Sequence, residues 1–127
     1  MAKRYFIRER DVPTYHPANH SGTTNRRLIG PETVGAKNVE VVLGVIEKNE
    51  GAAPHAHPEM EQVCYMLEGT AVAEVAGERC ELKAGDSCYF PAGAMHKFTA
   101  TSDRPVKVLV IYSPPYGESP ERVVRPK

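Results

Sequence analysis

Two histidines, His55 and His57, lie two positions apart in the stretch Pro54–Gly69. On an extended strand this spacing places both rings on the same face. Two adjacent imidazoles can bind one divalent metal ion, although a pair alone is more typical of surface or core histidines. Pro58 cannot donate to a sheet ladder, so we expect the strand to end there and a second to begin near Val63. That turn would let a side chain of the second strand reach both rings.

A third histidine ends the stretch Gly85–His96. Gly85 and Gly93 are suited to turns and to close approach of the backbone. Pro91 restricts the corner that precedes His96. A rigid bend therefore positions a third imidazole downstream of the first two.

These two stretches resemble the paired motifs of the cupin superfamily. Its first motif is His-x-His, three or four residues, Glu, six residues and Gly. Counted back from Gly69, the Glu position falls on Gln62, and the early glycine, Gly51, is three residues before the first histidine rather than five. The second motif is Gly, five residues, Pro-x-Gly, two residues, His, three residues and Asn. It is matched in register except at its last position, where Ala100 stands.

The resemblance covers about Val39–Tyr112, and the 15 residues between the motifs, 70–84, match the short spacing of compact single-domain cupins. It implies an all-β fold, the double-stranded β-helix or cupin jelly-roll barrel. Many short predicted strands with regular turns favour the same class, a sandwich or barrel.

The resemblance also implies a ligand set of His55, His57, Gln62 and His96 for one divalent transition metal. Three imidazole nitrogens and one amide oxygen suit Fe, Mn, Ni, Cu or Zn without selecting among them. Glu61 could ligate in place of Gln62, but strand parity and the spacing to the glycine favour Gln62.

A neutral glutamine in place of glutamate would leave both positive charges on the metal site. Such a site is a stronger Lewis acid towards a bound carboxylate, enolate or keto acid. The ligand set is similar to that of small cupins that open or rearrange unsaturated uronates. We therefore predict a metal-dependent isomerase or lyase that acts on a small, anionic oxygenated acid or sugar acid. An iron-dependent dioxygenase and a non-catalytic module that binds a small molecule or a metal are two further candidates.

Strand parity also predicts what surrounds the metal. Cys64 and Met66 share a face with Gln62, and Phe98 shares one with His96. We expect Met66 and Phe98 to fill the core, and Tyr65 to face the opposite side.

The catalytic acid or base is not identified by the sequence. Tyr112 and Glu47 lie on flanking strands and would qualify if they point inward. Arg26 and Arg27 could clamp an anionic substrate if an N-terminal strand closes the barrel mouth. Otherwise both would be solvated surface arginines.

Length and composition narrow the class further. The chain has 127 residues, which suits one domain, and a formal net charge of zero, which gives no electrostatic case for nucleic acid or a membrane surface. No apolar run approaches the ~20 residues of a spanning helix, and the N-terminus has no signal-peptide core. The three cysteines are an odd number without metal-type spacing, so we expect reduced thiols in a cytoplasmic protein.

We divide the chain into an N-terminal arm (1–38) with a possible strand at Thr23–Ile29, a barrel (39–112) and a proline-rich tail (113–127). His16 and His20, in the arm, are expected at the surface. The strand Val39–Lys48 has little polarity on either face, which predicts cover on both sides. We therefore expect a homodimer with the arm at its interface.

Overall fold

Nine β-strands form one antiparallel sheet that curls into a nearly closed barrel in the computed structural model, which describes residues 4–117 and 119–126. The strands are β1 (Thr14–Tyr15), β2 (His20–Ile29), β3 (Glu40–His55), β4 (Glu61–Glu68), β5 (Thr70–Val75), β6 (Glu78–Lys83), β7 (Ser87–Phe90), β8 (His96–Ala100) and β9 (Val106–Ser113). A four-residue helix, α1 (Pro31–Val34), follows β2, and 3₁₀ turns lie at Glu9–Asp11 and Pro120–Arg122. The predicted all-β class is confirmed, with one short helix that the sequence did not predict. In the described part of the chain, no helix is long and apolar enough to cross a membrane.

The strand β3 is the centre of the sheet. The order of the sheet is β6-β5-β8-β3-β9-β4-β7, with β2 also paired to β3 and β1 to β2, so β6, β7 and β1 are edge strands. The first part of β3, Glu40–Ile46, pairs with β9, and its last part, Gly51–His55, pairs with β8. One strand thereby carries the chain from one wall of the barrel to the other.

The strand that was predicted to end at Lys48 instead bends and continues to His55. Asn49 and Gly51 have positive φ angles of 67° and 144°, and pairing with β2 resumes at Gly51. A Cβ atom at Gly51 would lie 2.2 Å from the carbonyl oxygen of Phe98. Only glycine fits this close approach of β3 to β8.

The N-terminal arm contributes a wall of the barrel. The strand β2 begins at His20, three residues before the predicted strand, and pairs with β3 from His20↔Ala52 to Ile29↔Val41. Thr23 and Asn25 are both buried. The region beyond His20 is therefore part of the sheet rather than a separate arm.

Alternating side chains build the core between the two walls. On β4, Gln62, Cys64 and Met66 are buried while Tyr65 is exposed, which confirms the predicted parity. Met66 packs in the main core with Phe98 and residues from five other strands, as expected for a core-filling residue. Burial of these apolar side chains supplies the main driving force for the fold.

The proline-rich tail folds back over one end of the barrel. Val124 forms an antiparallel bridge with Ala56, through backbone hydrogen bonds of 2.6 and 2.7 Å. Tyr116 is buried and packs with Tyr112, Met60 and Val42 in a second small core. The tail therefore covers the chain immediately around the His-x-His pair.

Candidate metal centre

Three histidine rings meet inside the barrel. His55 is the last residue of β3, His96 is the first of β8, and the two are partners in the sheet register. His57 follows two residues after β3. The Nε2 atom of His55 lies 3.1 Å from Nε2 of His57 and 3.1 Å from Nε2 of His96. The three candidate ligand atoms all lie within 4.8 Å of one another.

The second nitrogen of each ring is held by the backbone. Each Nδ1 atom faces a carbonyl oxygen, which can only accept a hydrogen bond, so Nδ1 carries the proton and Nε2 presents its lone pair. The acceptors are the carbonyls of Ala53 for His55 (2.7 Å), Arg122 for His57 (2.7 Å) and Ala94 for His96 (3.3 Å). Such contacts set the tautomer and orientation that a metal-bound histidine needs.

Burial keeps these imidazoles neutral. It lowers the pKa of His55 to about 3 and that of His96 to about 4, and it also lowers the pKa of His57. Three unprotonated nitrogens at this separation repel one another unless a cation lies between them. Ligands at about 2.1 Å from one ion lie roughly 3 Å apart, which matches the observed spacing. His55, His57 and His96 can therefore hold a metal ion.

The side chain of Gln62 is a candidate for a fourth donor, since it lines the same cavity as His55 and His96. Gln62 is 8% exposed, and its Oε1 atom is buried without a hydrogen-bond partner among the described residues. A buried oxygen without a partner costs about 1–3 kcal/mol, a cost that a coordinated cation would remove. Glu61 is exposed and accepts a hydrogen bond from the Tyr89 hydroxyl, so it points away from the rings. The donor set thus fits a metal, and ligation by Gln62 stays a prediction.

The rings of His55 and His96 form one end of a small cavity of about 40 Å³ inside the barrel. Its apolar wall includes Ile46, Phe90, Phe98, Val108 and Val110, together with Cys64. Its polar wall comprises His20, Thr23, Asn25, Gln62 and Tyr112. The cavity can therefore take a small polar molecule against the candidate metal-ligand nitrogens of His55 and His96.

Of the four candidate catalytic residues, the structure brings only Tyr112 to this cavity. Tyr112 is buried, and its ring centroid lies 5.8 Å from that of His57. Glu47 is exposed on β3 and does not line the cavity. Glu47 therefore does not meet the condition set for a catalytic residue, because its position alternates with that of buried Ile46 and its side chain faces outward.

The two arginines are also occupied away from the cavity. The Arg26 guanidinium donates to the carbonyls of Glu9 and Val12, at 2.8 and 2.7 Å. Arg27 lies 3.5 Å from a Glu40 carboxylate oxygen and stacks on Tyr15 with its guanidinium carbon 4.2 Å from the ring centroid. The conditional anion clamp is therefore not formed, since both side chains contact the N-terminal segment.

Three cavity residues on β2 were not predicted. His20 is half-buried, with its ring centroid 5.7 Å from that of His55, so the expectation of a surface histidine is wrong. His16, by contrast, is exposed and contacts the carbonyl of Thr23. Thr23 and Asn25 alternate along the predicted strand, and this spacing was the available signal for an inward face.

Comparison with known proteins identifies related sequences. The family model described as "Cupin domain" matches residues 42–112 of the chain. The tetracenomycin polyketide synthase protein TcmJ of Streptomyces glaucescens is 30% identical over 100 residues, which are 77% of this chain and 66% of that protein.

Solved structures show the same architecture. KdgF from Halomonas sp. superposes with a TM-score of 0.76 at 20% identity, over 87% of this chain and 93% of that chain. The polyketide cyclase RemF from Streptomyces resistomycificus superposes with a TM-score of 0.73 at 26% identity, over 95% and 96% of the two chains.

Proposed function

Because the chain belongs to the cupin family, we propose that it is a metal-dependent enzyme that acts on a small oxygenated acid or sugar acid by Lewis-acid catalysis, as an isomerase or lyase. The observation that carries the proposal is the set of neutral donors. Three imidazole nitrogens face one another. Gln62 lines the same cavity as His55 and His96, and its Oε1 atom is buried without a hydrogen-bond partner in the described part of the chain.

His55, His57, His96 and Gln62 would hold the ion. When bound, a divalent metal supplies a Lewis acid that polarises a carboxylate or keto oxygen of the ligand. The backbone carbonyls behind the rings keep the nitrogens aimed at one point. All four donors are neutral, so none of them offsets the attraction of the site for an anion.

The rest of the cavity would orient the ligand and exclude water. The apolar residues of the wall lower the local dielectric, which strengthens the interaction of an anion with the centre. Thr23 and Asn25 offer further polar atoms in the cavity lining. We assign the hydroxyl of Tyr112 as the group that moves a proton to or from the ligand, because Tyr112 lines the cavity beside the rings.

A second candidate function, ring closure of a polyketide, has its own support. RemF is called a polyketide cyclase, and TcmJ is called a polyketide synthase protein. Closing such a ring also benefits from polarised keto oxygens, so the same donors would serve. A cavity of about 40 Å³ is smaller than either ligand, so each would place only its oxygen-bearing end there and the volume does not separate the two candidates.

The variant Gln62→Glu tests the proposal. A carboxylate within about 2 Å of a divalent cation should hold the metal at least as well as wild type. It should also weaken the binding of a small anion, because it neutralises part of the charge of the site. Metal content by mass spectrometry and calorimetric titration with oxalate measure the two effects. Glu61→Gln is the matched control, since its carboxylate faces outward.

Equal metal content and equal oxalate affinity in wild type and Gln62→Glu would contradict the role of Gln62. Metal analysis of protein purified without chelator then distinguishes a dioxygenase from a non-catalytic binding protein. Iron together with oxygen consumption would favour the dioxygenase. Metal and anion binding without turnover of any small acid would favour the binding protein.

A homodimer in the cytoplasm completes the proposal. Two cross-strand rows on the outer face are apolar, Val41–Ile111–Val63–Tyr89 and Leu43–Leu109–Tyr65. A second copy of the chain would cover them through a two-fold contact. The three free cysteines support a reducing compartment.

A further inference from the structure

Two cysteines face each other across β4 and β7. Cys64 and Cys88 are direct partners in the antiparallel register, so their side chains share a face of the sheet. Cys64 is buried and lines the metal cavity, while Cys88 is half-buried. The metal-dependent function proposed above uses neither thiol.

The register brings these thiols within reach of a disulfide. Directly opposed residues have Cα atoms about 4.5–5.5 Å apart, inside the roughly 4.4–6.8 Å range of disulfides. Their Cβ atoms are about 4.5–5.5 Å apart, whereas a disulfide needs about 3.5–4.5 Å. The strands must therefore approach each other by up to about an ångström at this position.

Of the two strands, β7 is the less constrained by pairing. It has four residues, lies at an edge of the sheet and pairs only with β4. A bond that draws an edge strand inward is strained, and strained disulfides are readily reduced again. This geometry suits a reversible bond rather than a permanent structural one.

We propose that Cys64 and Cys88 form a reversible dithiol–disulfide site, with a hydroperoxide as the oxidant. The more accessible Cys88 sulfur attacks a peroxide oxygen, the O–O bond breaks, and the other oxygen leaves as water or an alcohol with the thiol proton. The Cys64 sulfur then displaces the sulfenic oxygen of Cys88, which leaves as water with the second proton. Two thiols are oxidised and one hydroperoxide is reduced.

Formation of this disulfide would change the cavity that His55 and His96 line. Two residues further along the same strands, Gln62 and Phe90 are also direct partners, and both line the cavity. The ring of Phe90 lies 4.5 Å from that of His96. Drawing β7 towards β4 shifts both the candidate oxygen donor and the packing of a metal-binding ring.

Peptide mapping of the full chain tests the proposal. Cleavage after lysine and arginine places the three cysteines on separate peptides, 49–79, 80–83 and 84–97. After treatment with hydrogen peroxide and alkylation, we expect peptides 49–79 and 84–97 to be joined, with two of the three thiols lost and recovered by dithiothreitol. Cys80→Ser is the matched control because it removes the exposed thiol and should leave this link intact.

Three results would overturn the inference. These are an alkylated Cys64 beside sulfinic Cys88, a link between Cys80 and Cys88, and cross-links between chains only. Zinc titration gives a second readout, with a roughly tenfold lower affinity expected for the oxidised Cys80→Ser protein than for the reduced one. Equal affinity would contradict the coupling between the disulfide and the cavity.

Discussion

Each of the three metal-binding rings should be individually necessary for metal retention. His55→Ala, His57→Ala or His96→Ala removes one donor from a set held by backbone carbonyls. Loss of a ligand should exceed the roughly 10–100-fold cost of losing a hydrogen bond behind a ligand. His16→Ala is the control, because His16 is exposed and outside the cavity. Metal content after dialysis, by mass spectrometry, measures the effect, and loss of metal from the control would contradict the assignment.

Single residues differ in how well the sequence predicted them. His55, His57 and His96 were predicted because motif spacing reports which backbone positions lie near one another. The roles of Arg26 and Arg27 were not predicted, because a long side chain can reach any of several acceptors. Here the acceptors are the carbonyls of Glu9 and Val12 for Arg26, and Glu40 for Arg27. Nearby prolines and glycines suggested a surface loop around His20, so its half-buried position was not predicted.

The bend in β3 requires glycine at position 51. Gly51→Ala would bring a Cβ atom to 2.2 Å from the Phe98 carbonyl oxygen at a φ of 144°, so the backbone must shift. Gly35→Ala is the matched control, since its φ is 75° but nothing lies within 4 Å. We expect the control to lose about 1–2 kcal/mol of unfolding free energy, and Gly51→Ala to lose clearly more. Urea denaturation compares the two, and equal losses would contradict a steric requirement at Gly51.

The tail should support the metal centre through its backbone. Removing residues 117–127 deletes the Arg122 carbonyl that accepts from His57 Nδ1 and the bridge between Val124 and Ala56. We expect metal affinity to fall by roughly 10–100-fold while the barrel stays folded. Zinc titration and circular dichroism measure the two properties. Unchanged affinity in the truncated protein would show that the tail does not position the ring.

Elements were predictable where packing leaves a periodic pattern. The strand predicted to begin near Val63 starts at Glu61, and the later strands also follow alternating burial or β-branched runs. The bend in β3 has the composition of a turn, and only its pairing with β2 and β8 shows that the strand continues. The contact between the tail and His57 could not be predicted from the sequence, because it is made by a backbone carbonyl, which every residue type has.

The stability of the metal-free protein should fall in mild acid. Burial lowers the pKa of His55 to about 3 and that of His96 to about 4, from 6.5. As the pH falls below 6.5, these histidines become protonated in the unfolded chain but stay neutral in the folded barrel until about pH 4. The free energy of unfolding therefore decreases across this pH range. Thermal melting at about pH 7.5 and pH 5 should show a clear drop.

The matched variants for this pH effect are His55→Gln, which cannot titrate, and His16→Ala, which changes an exposed ring. His55→Gln should reduce the drop in melting temperature, because the unfolded chain then gains one proton fewer relative to the folded chain. The second should leave the drop unchanged. A drop of the same size in His55→Gln and wild type would show that other groups cause it.

The outer apolar face should make the molecule a dimer. One chain has a mass of 14.0 kDa, so light scattering at micromolar concentration should give about twice that value. Tyr65 is 43% exposed within the apolar rows, and Tyr65→Lys should shift the equilibrium towards monomer by placing a charge where the partner packs. Met95→Lys is the matched control, because Met95 is 39% exposed but lies outside both rows.

The N-terminal arm gives the same prediction a second test. Tyr5 and Phe6 are 67% and 71% exposed, which for two neighbouring aromatic side chains favours contact with another molecule. Removing residues 1–7 should weaken the dimer, since the truncated chain keeps the apolar rows but loses these rings. A wild-type protein that is monomeric at micromolar concentration would contradict both the outer-face contact and the arm. A dimer that resists Tyr65→Lys but dissociates without the arm would place the interface at the arm alone.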